Sequence, residues 1–85
     1  MPEIEIYTQP YCPYCDRAIA LLQRKGADFK EISAPRGTVL RDEALRRSGG
    51  RTSVPQIFIG GRHVGGSDDL LALERAGELD ALLTP

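Results

Sequence analysis

The sequence predicts an α/β fold: a mixed four-stranded sheet flanked by helices, in the order β-α-β-α-β-β-α. Three observations carry this expectation. The apolar period changes along the chain from alternation to steps of three and four residues and back. The first two strand-like stretches are joined through a helical one, which makes them parallel. The last two flank Gly60-Gly61, a two-residue hairpin turn, which makes them antiparallel. At 85 residues the chain has room for one hydrophobic core, so residues 1–85 are expected to form a single domain.

Glu3 to Thr8 alternates, with Ile4 and Ile6 on one face and Glu3, Glu5 and Tyr7 on the other, as in a strand with one buried face. Gln9, Pro10 and Tyr11 break it. From Pro13 to Lys25 the pattern is helical, with Cys15, Ala18, Ile19 and Leu22 on one side. Pro13 suits the first turn, Arg24 and Lys25 suit the last, and Gly26 is a stop. Asp28 to Ile32 reads as a second strand with Phe29 and Ile32 as its apolar contacts, followed by a loop from Ser33 to Gly37. Thr38 can cap a second helix whose apolar side would be Val39, Leu40, Ala44 and Leu45, ended by Gly49-Gly50. Gln56 to Ile59 and Arg62 to Gly65 are the hairpin strands. A last helix begins around Ser67-Asp68 and carries Leu70, Leu71, Leu73 and Ala76; after Gly77, Glu78 to Leu83 adds a further turn or two.

Composition excludes several classes of function. Eleven Lys and Arg against twelve Asp and Glu leave a formal charge of -1, which offers no steering toward nucleic acid or an anionic membrane. No apolar run is long enough to span a bilayer. The opening MPEIEIY has neither the basic nor the apolar region of a signal peptide, and two cysteines are no disulfide framework. A reducing, cytoplasmic compartment is the expectation, with the thiols kept for their reactivity.

Cys12 falls just before the first helix and Cys15 one turn inside it. A helix N-terminus favours negative charge, so Cys12 is expected to have a depressed pKa and to act as the nucleophilic thiolate. Cys15 lies on the apolar face beside Ala18 and Ile19 and suits the second, resolving thiol. An offset of three helical residues brings the two sulfurs within bonding reach. A C-x-x-C at the end of the first strand of a βαβ unit reads as a thioredoxin-like redox site. The competing zinc reading needs about four ligands, and His63 is the only other strong candidate in the chain, so no metal is expected. Two inert core cysteines would be the other alternative, and the turn chemistry around Cys12 speaks against it.

Tyr11-Cys12-Pro13-Tyr14-Cys15, Thr52-Ser53-Val54-Pro55-Gln56-Ile57-Phe58-Ile59, Gly60-Gly61-Arg62-His63-Val64-Gly65-Gly66 and Ser67-Asp68-Asp69-Leu70 follow one another in the order and spacing of the glutaredoxins. The chain resembles a small bacterial dithiol glutaredoxin along essentially its whole length. The resemblance implies a thioredoxin-like fold and glutathione-dependent reduction of protein disulfides and of protein–glutathione mixed disulfides, with a poise of about -200 to -230 mV. Glutathione would be the co-substrate, with no bound cofactor, and the chain is expected to be a monomer. Catalysis would fall to Cys12 and Cys15.

The same resemblance implies a set of glutathione contacts. Val54-Pro55 matches the family's cis-proline element, with Ser53 before it; the backbone of Val54 would pair with the cysteinyl part of glutathione as a short added strand. Gly66, Ser67 and Asp68 would receive the γ-glutamyl carboxylate and amine at a helix start; capping alone is the plainer role for Ser67 and Asp68. Tyr14 would form an aromatic wall beside Cys12. Gln9 stands where the family commonly has a Lys for the glycyl carboxylate, and Arg41 or Arg51 is expected to supply the missing charge. Tyr7 and Tyr11 are assigned to packing, His63 to the surface, and Arg46 and Arg47 to a solvated helix face. A glutathione-ligated [2Fe-2S] dimer or carrier, using Cys12 from each chain, and a thioredoxin-like module that binds partners without turnover are the alternatives.

Overall fold

A computed structural model describes residues 2–84. The elements are β1 (Ile4–Thr8), α1 (Pro13–Arg24), β2 (Lys30–Ser33), α2 (Val39–Arg47), β3 (Gln56–Ile59), β4 (Arg62–Gly65), α3 (Ser67–Arg75) and α4 (Leu79–Leu83). The strands lie in the order β2-β1-β3-β4, with β1 parallel to β2 and antiparallel to β3, and with β3 antiparallel to β4. The expected topology is therefore present, and the residues after Gly77 form a separate short helix. Among the described residues no helix is long and apolar enough to cross a membrane.

Alternation along β1 and β3 sorts side chains to two faces. Ile4 and Ile6 of β1 and Ile57 and Ile59 of β3 point to one side, where Ala18, Leu21 and Leu22 of α1, Leu70 of α3 and Leu79 and Leu83 of α4 complete the larger core. Full burial of each such leucine or isoleucine contributes about 2 kcal/mol. On the other side Tyr7 and Phe58 meet Ala34 and Ala44 under α2. The expectation that β1 buries one face only is corrected here: Tyr7 is fully buried, because α2 covers the second face.

The second helix is also held differently from the expected pattern. Val39, Leu40 and Leu45 are exposed and only Ala44 is buried. Polar anchors from α2 take over. The Arg47 guanidinium lies 4.0 Å from the Phe58 ring centroid and 5.6 Å from that of Tyr7. It donates to both Glu5 carboxylate oxygens, at 2.9 and 3.2 Å, and to the Tyr7 hydroxyl at 2.8 Å. The Tyr7 hydroxyl in turn donates to Glu43 at 3.0 Å. Arg47 is thus a packing residue over the sheet, whereas Arg46 does face solvent.

Local signals at the helix ends act as their chemistry predicts. The Thr38 hydroxyl accepts from the Arg41 N–H at 3.2 Å and caps α2. At the end of α1 the Gly26 N–H bonds the Gln23 carbonyl and the Ala27 N–H bonds that of Leu22, a Schellman closure that begins one residue earlier than Lys25 suggested. Gly60 and Gly61 both have positive φ, 60° and 81°, as the tight hairpin turn requires. Strand β2 starts at Lys30 rather than Asp28, which leaves Phe29 just outside it and packed on the larger core.

Candidate active site

Strand β1 ends at Thr8, and the chain turns through Gln9–Tyr11 to enter α1. Cys12 is the N-cap of that helix, with Pro13 at its first position. The Cys12 sulfur accepts from the Cys15 N–H at 3.1 Å, and the Cys12 carbonyl accepts from the Asp16 N–H at 3.1 Å. An N-cap sulfur aimed at free helix donors gains from the N-terminal dipole when it is a thiolate. Cys15 is buried on the inner face of α1, and the two cysteines form a disulfide with Cα atoms 5.2 Å apart. Tyr11 is corrected from its packing role: its side chain is fully exposed, and it takes φ 57°, an uncommon left-handed conformation for a tyrosine, directly before Cys12.

The Val54-Pro55 peptide bond is cis, and the Val54 carbonyl oxygen lies 3.9 Å from the Cys12 sulfur. The β3 ladder begins only at Gln56, so Val54 stands ahead of it. Beside this loop is a cleft of about 200 Å³ lined by Tyr14, Arg51, Ser53, Val54, Pro55, Gly66, Ser67, Asp68 and Asp69. Seven of the eight residues expected to contact glutathione meet there, although they come from three separate stretches of the chain. Gln9 is not among them. Its amide oxygen accepts instead from Arg41 at 2.8 Å, and Arg41 also donates to the carbonyls of Ala34 at 3.0 Å and Thr52 at 2.9 Å. Of the two arginines expected to replace a charge at Gln9, Arg41 reaches it, while Arg51 lines the cleft.

The start of α3 shows a division of labour that the residue pattern did not reveal. The N-cap is Gly66, and the Asp69 carboxylate reaches back to accept from the Gly66 N–H at 2.8 Å while pairing with Arg51 at 3.0 Å. That N–H, and then the Arg51 guanidinium, hold the Asp69 carboxyl below its ordinary pKa. A Cβ on Gly65 would come within 2.7 Å of the Asp69 carboxyl carbon, and Gly65 has φ 122°, so only glycine fits that position. Asp69, not Ser67 or Asp68, therefore does the capping. The Ser67 hydroxyl is left buried with no hydrogen-bond partner among the described residues. Asp69 was the missed residue; its signal was its place three after Gly66, the spacing from which a carboxylate caps.

His63 is also corrected. It is partly buried, stacks on Phe58 with centroids 5.0 Å apart, and hydrogen-bonds the buried Gln56 at 2.8 Å. Burial, with a smaller contribution from Arg51, lowers its pKa. Among the described residues no three His, Cys, Asp or Glu side chains cluster as metal ligands.

Comparison with known proteins agrees with this geometry. The glutaredoxin family model matches residues 4–64. A glutaredoxin of Pseudomonas aeruginosa is 62% identical over 84 residues, covering 99% of each chain. The solution structure of a Brucella melitensis glutaredoxin superposes with a TM-score of 0.85 at 60% identity, covering 98% of this chain and 89% of that one. A buckwheat glutaredoxin, crystallised as its glutathione complex, gives a TM-score of 0.86 at 30% identity over 96% of this chain and 76% of that one. With its thioredoxin-like sheet and its paired Cys12 and Cys15, the chain belongs to the glutaredoxin family of thiol–disulfide oxidoreductases.

Proposed function

We propose that this chain is a glutathione-dependent reductase of protein disulfides and protein–glutathione mixed disulfides, acting as a single-domain monomer in the cytoplasm. The observation that carries the glutathione reading is the cleft beside Cys12, which ends at the helix α3 start with the unpartnered Ser67 hydroxyl. A buried hydroxyl without a partner is costly, and a carboxylate seated there would satisfy it. The buckwheat relative, solved with glutathione, supports the same ligand class.

In this reading glutathione runs along the cleft. Its γ-glutamyl carboxylate accepts from the Ser67 hydroxyl and the free N–H groups of α3, and Asp68 accepts from its amine. The Val54 backbone pairs with the cysteinyl residue, which brings the glutathione sulfur to Cys12. Tyr14 walls the cleft. With its oxygen held by Arg41, Gln9 keeps its amide N–H groups for the glycyl carboxylate, and Arg41 supplies the positive charge behind it.

The Cys12 thiolate attacks the glutathione sulfur of a mixed disulfide, and the protein thiolate leaves. A second glutathione thiolate then attacks the same glutathione sulfur, releasing oxidised glutathione and restoring Cys12. With a protein disulfide, Cys12 first forms a mixed disulfide with the protein. Cys15 then attacks the Cys12 sulfur, the protein dithiol is released, and two glutathiones reduce the resulting Cys12–Cys15 bond. The direct pairing of Cys12 with Cys15 favours this exchange over cluster holding. The test is a pair of variants assayed with a glutathionylated peptide and with a protein disulfide. Cys12→Ser is expected to lose both activities and Cys15→Ser to keep only the first; full activity in Cys12→Ser would sink the proposal.

A further inference from the structure

Gln56 opens strand β3, one residue after Pro55, and is completely buried. Its side-chain nitrogen lies 2.9 Å from the Ser53 carbonyl oxygen and 3.4 Å from the Ser53 hydroxyl. A carbonyl can only accept, so the amide nitrogen must be the atom facing Ser53. The amide oxygen then faces His63, whose Nε2 is 2.8 Å away. That oxygen can only accept, so His63 Nε2 carries the proton. Donors and acceptors thus form one directed chain, from His63 through Gln56 to Ser53. His63 is itself held by its stack on Phe58, its partner across the β3–β4 pair.

The end of this chain is a peptide group that matters. The Ser53 carbonyl and the Val54 N–H belong to one planar unit, and only the next bond, Val54-Pro55, is cis. In a trans peptide the carbonyl and the N–H point in opposite directions. Drawing the Ser53 carbonyl inward to Gln56 therefore turns the Val54 N–H outward, on the stretch whose carbonyl lies beside the Cys12 sulfur.

We infer that His63 is a positioning residue for the redox reaction, acting through Gln56 to fix the Ser53–Val54 peptide that presents the Val54 N–H to the glutathionyl group. The inference rests on the glutathione reading for its ligand, and the geometry of the peptide can be followed without that ligand. His63→Phe keeps a flat ring over Phe58 and removes the donor. His63→Gln keeps a donor of similar reach.

The full chain and both variants are assayed with a glutathionylated peptide at fixed glutathione. His63→Phe is expected to raise KM for the peptide about five-fold, the scale of one lost neutral hydrogen bond, with kcat little changed. His63→Gln is expected to return KM to within about two-fold of the parent. In parallel, the Val54 amide resonance of the ligand-free proteins should move in His63→Phe and return in His63→Gln. An unmoved KM and Val54 resonance in His63→Phe would overturn the inference, even if that variant melts earlier. So would failure of His63→Gln to restore them. If the parent shows no preference for the glutathionylated peptide over a plain disulfide, the glutathione reading fails, and the Val54 resonance alone decides whether His63 positions the loop.

Discussion

The Arg41 guanidinium donates to the Gln9 amide oxygen at 2.8 Å across 32 residues of sequence. The same side chain bonds the carbonyls of Ala34 and Thr52, so one cation ties the turn before Cys12 to the chain that leads into Val54-Pro55. A lysine at position 9 would bring a second cation against Arg41. Gln9→Lys is therefore expected to lower stability by about 1 kcal/mol, or Tm by about 4–8 °C, and not to lower KM for glutathione. Arg41→Met should raise that KM, since it removes the charge. Thermal melts and glutathione titrations check both, and tighter glutathione use in Gln9→Lys would show that Arg41 does not fill the lysine's place.

Ser67 should separate stability from binding. Its hydroxyl is buried and unpartnered in the free protein, so removing it relieves a desolvation cost of about 1–3 kcal/mol rather than adding one. Ser67→Ala is expected to melt at or above the parent temperature while its KM for glutathionylated peptide rises several-fold. A lower Tm with unchanged KM would mean that the hydroxyl serves the fold alone.

Acid should weaken the protein in two steps. The folded chain holds His63 below its ordinary value of 6.5 through burial, and holds Asp69 below 3.8 through the Gly66 N–H and Arg51. In both cases the unfolded chain takes up its proton first as pH falls. Stability is therefore fully present above about pH 7, falls from about 6.5 as His63 titrates, and falls again below about 3.8 as Asp69 does. Urea unfolding across this range measures it. His63→Gln should flatten the upper step, and a step that persists in that variant belongs to another group.

Arg47 should be the costliest surface-sequence residue to lose. It combines a two-oxygen pairing with Glu5 at one-quarter exposure and close stacking on Phe58. Arg47→Ala is expected to lose about 2 kcal/mol in denaturant unfolding, and Arg47→Lys to recover less than half, because an ammonium cannot stack or fork as a guanidinium does. Equal stability of parent and Arg47→Lys would reduce the role of Arg47 to simple charge.

What was readable in the sequence was whatever rests on neighbours. The apolar period located the strands and helices but not the buried side of α2, where Val39, Leu40 and Leu45 are exposed. Thr38 and Gly26 marked helix ends, and Gly60-Gly61 marked the hairpin. The Cys12-Pro13-Tyr14-Cys15 run on a helix N-terminus carried its chemistry in its spacing. The cleft residues Tyr14, Ser53, Val54, Pro55, Gly66, Ser67 and Asp68 were legible only through the resemblance of their motifs to the glutaredoxins, and the fold brought those motifs to one place.

Long polar side chains were the part left to tertiary structure. Arg47 and His63 look like surface residues in any local window, and Arg41 was only one of two candidates for the charge near Gln9. The partners of Arg41, Arg47 and His63 lie 32, 42 and 7 positions away. Tyr7 looks half-exposed until α2 covers the second face of β1. Local sequence determined the elements and the redox pair, since backbone periodicity, caps and helix dipoles act within a few residues. Only the packed fold decided which charges support the site, because a guanidinium or imidazole takes its role from whatever surface is folded against it.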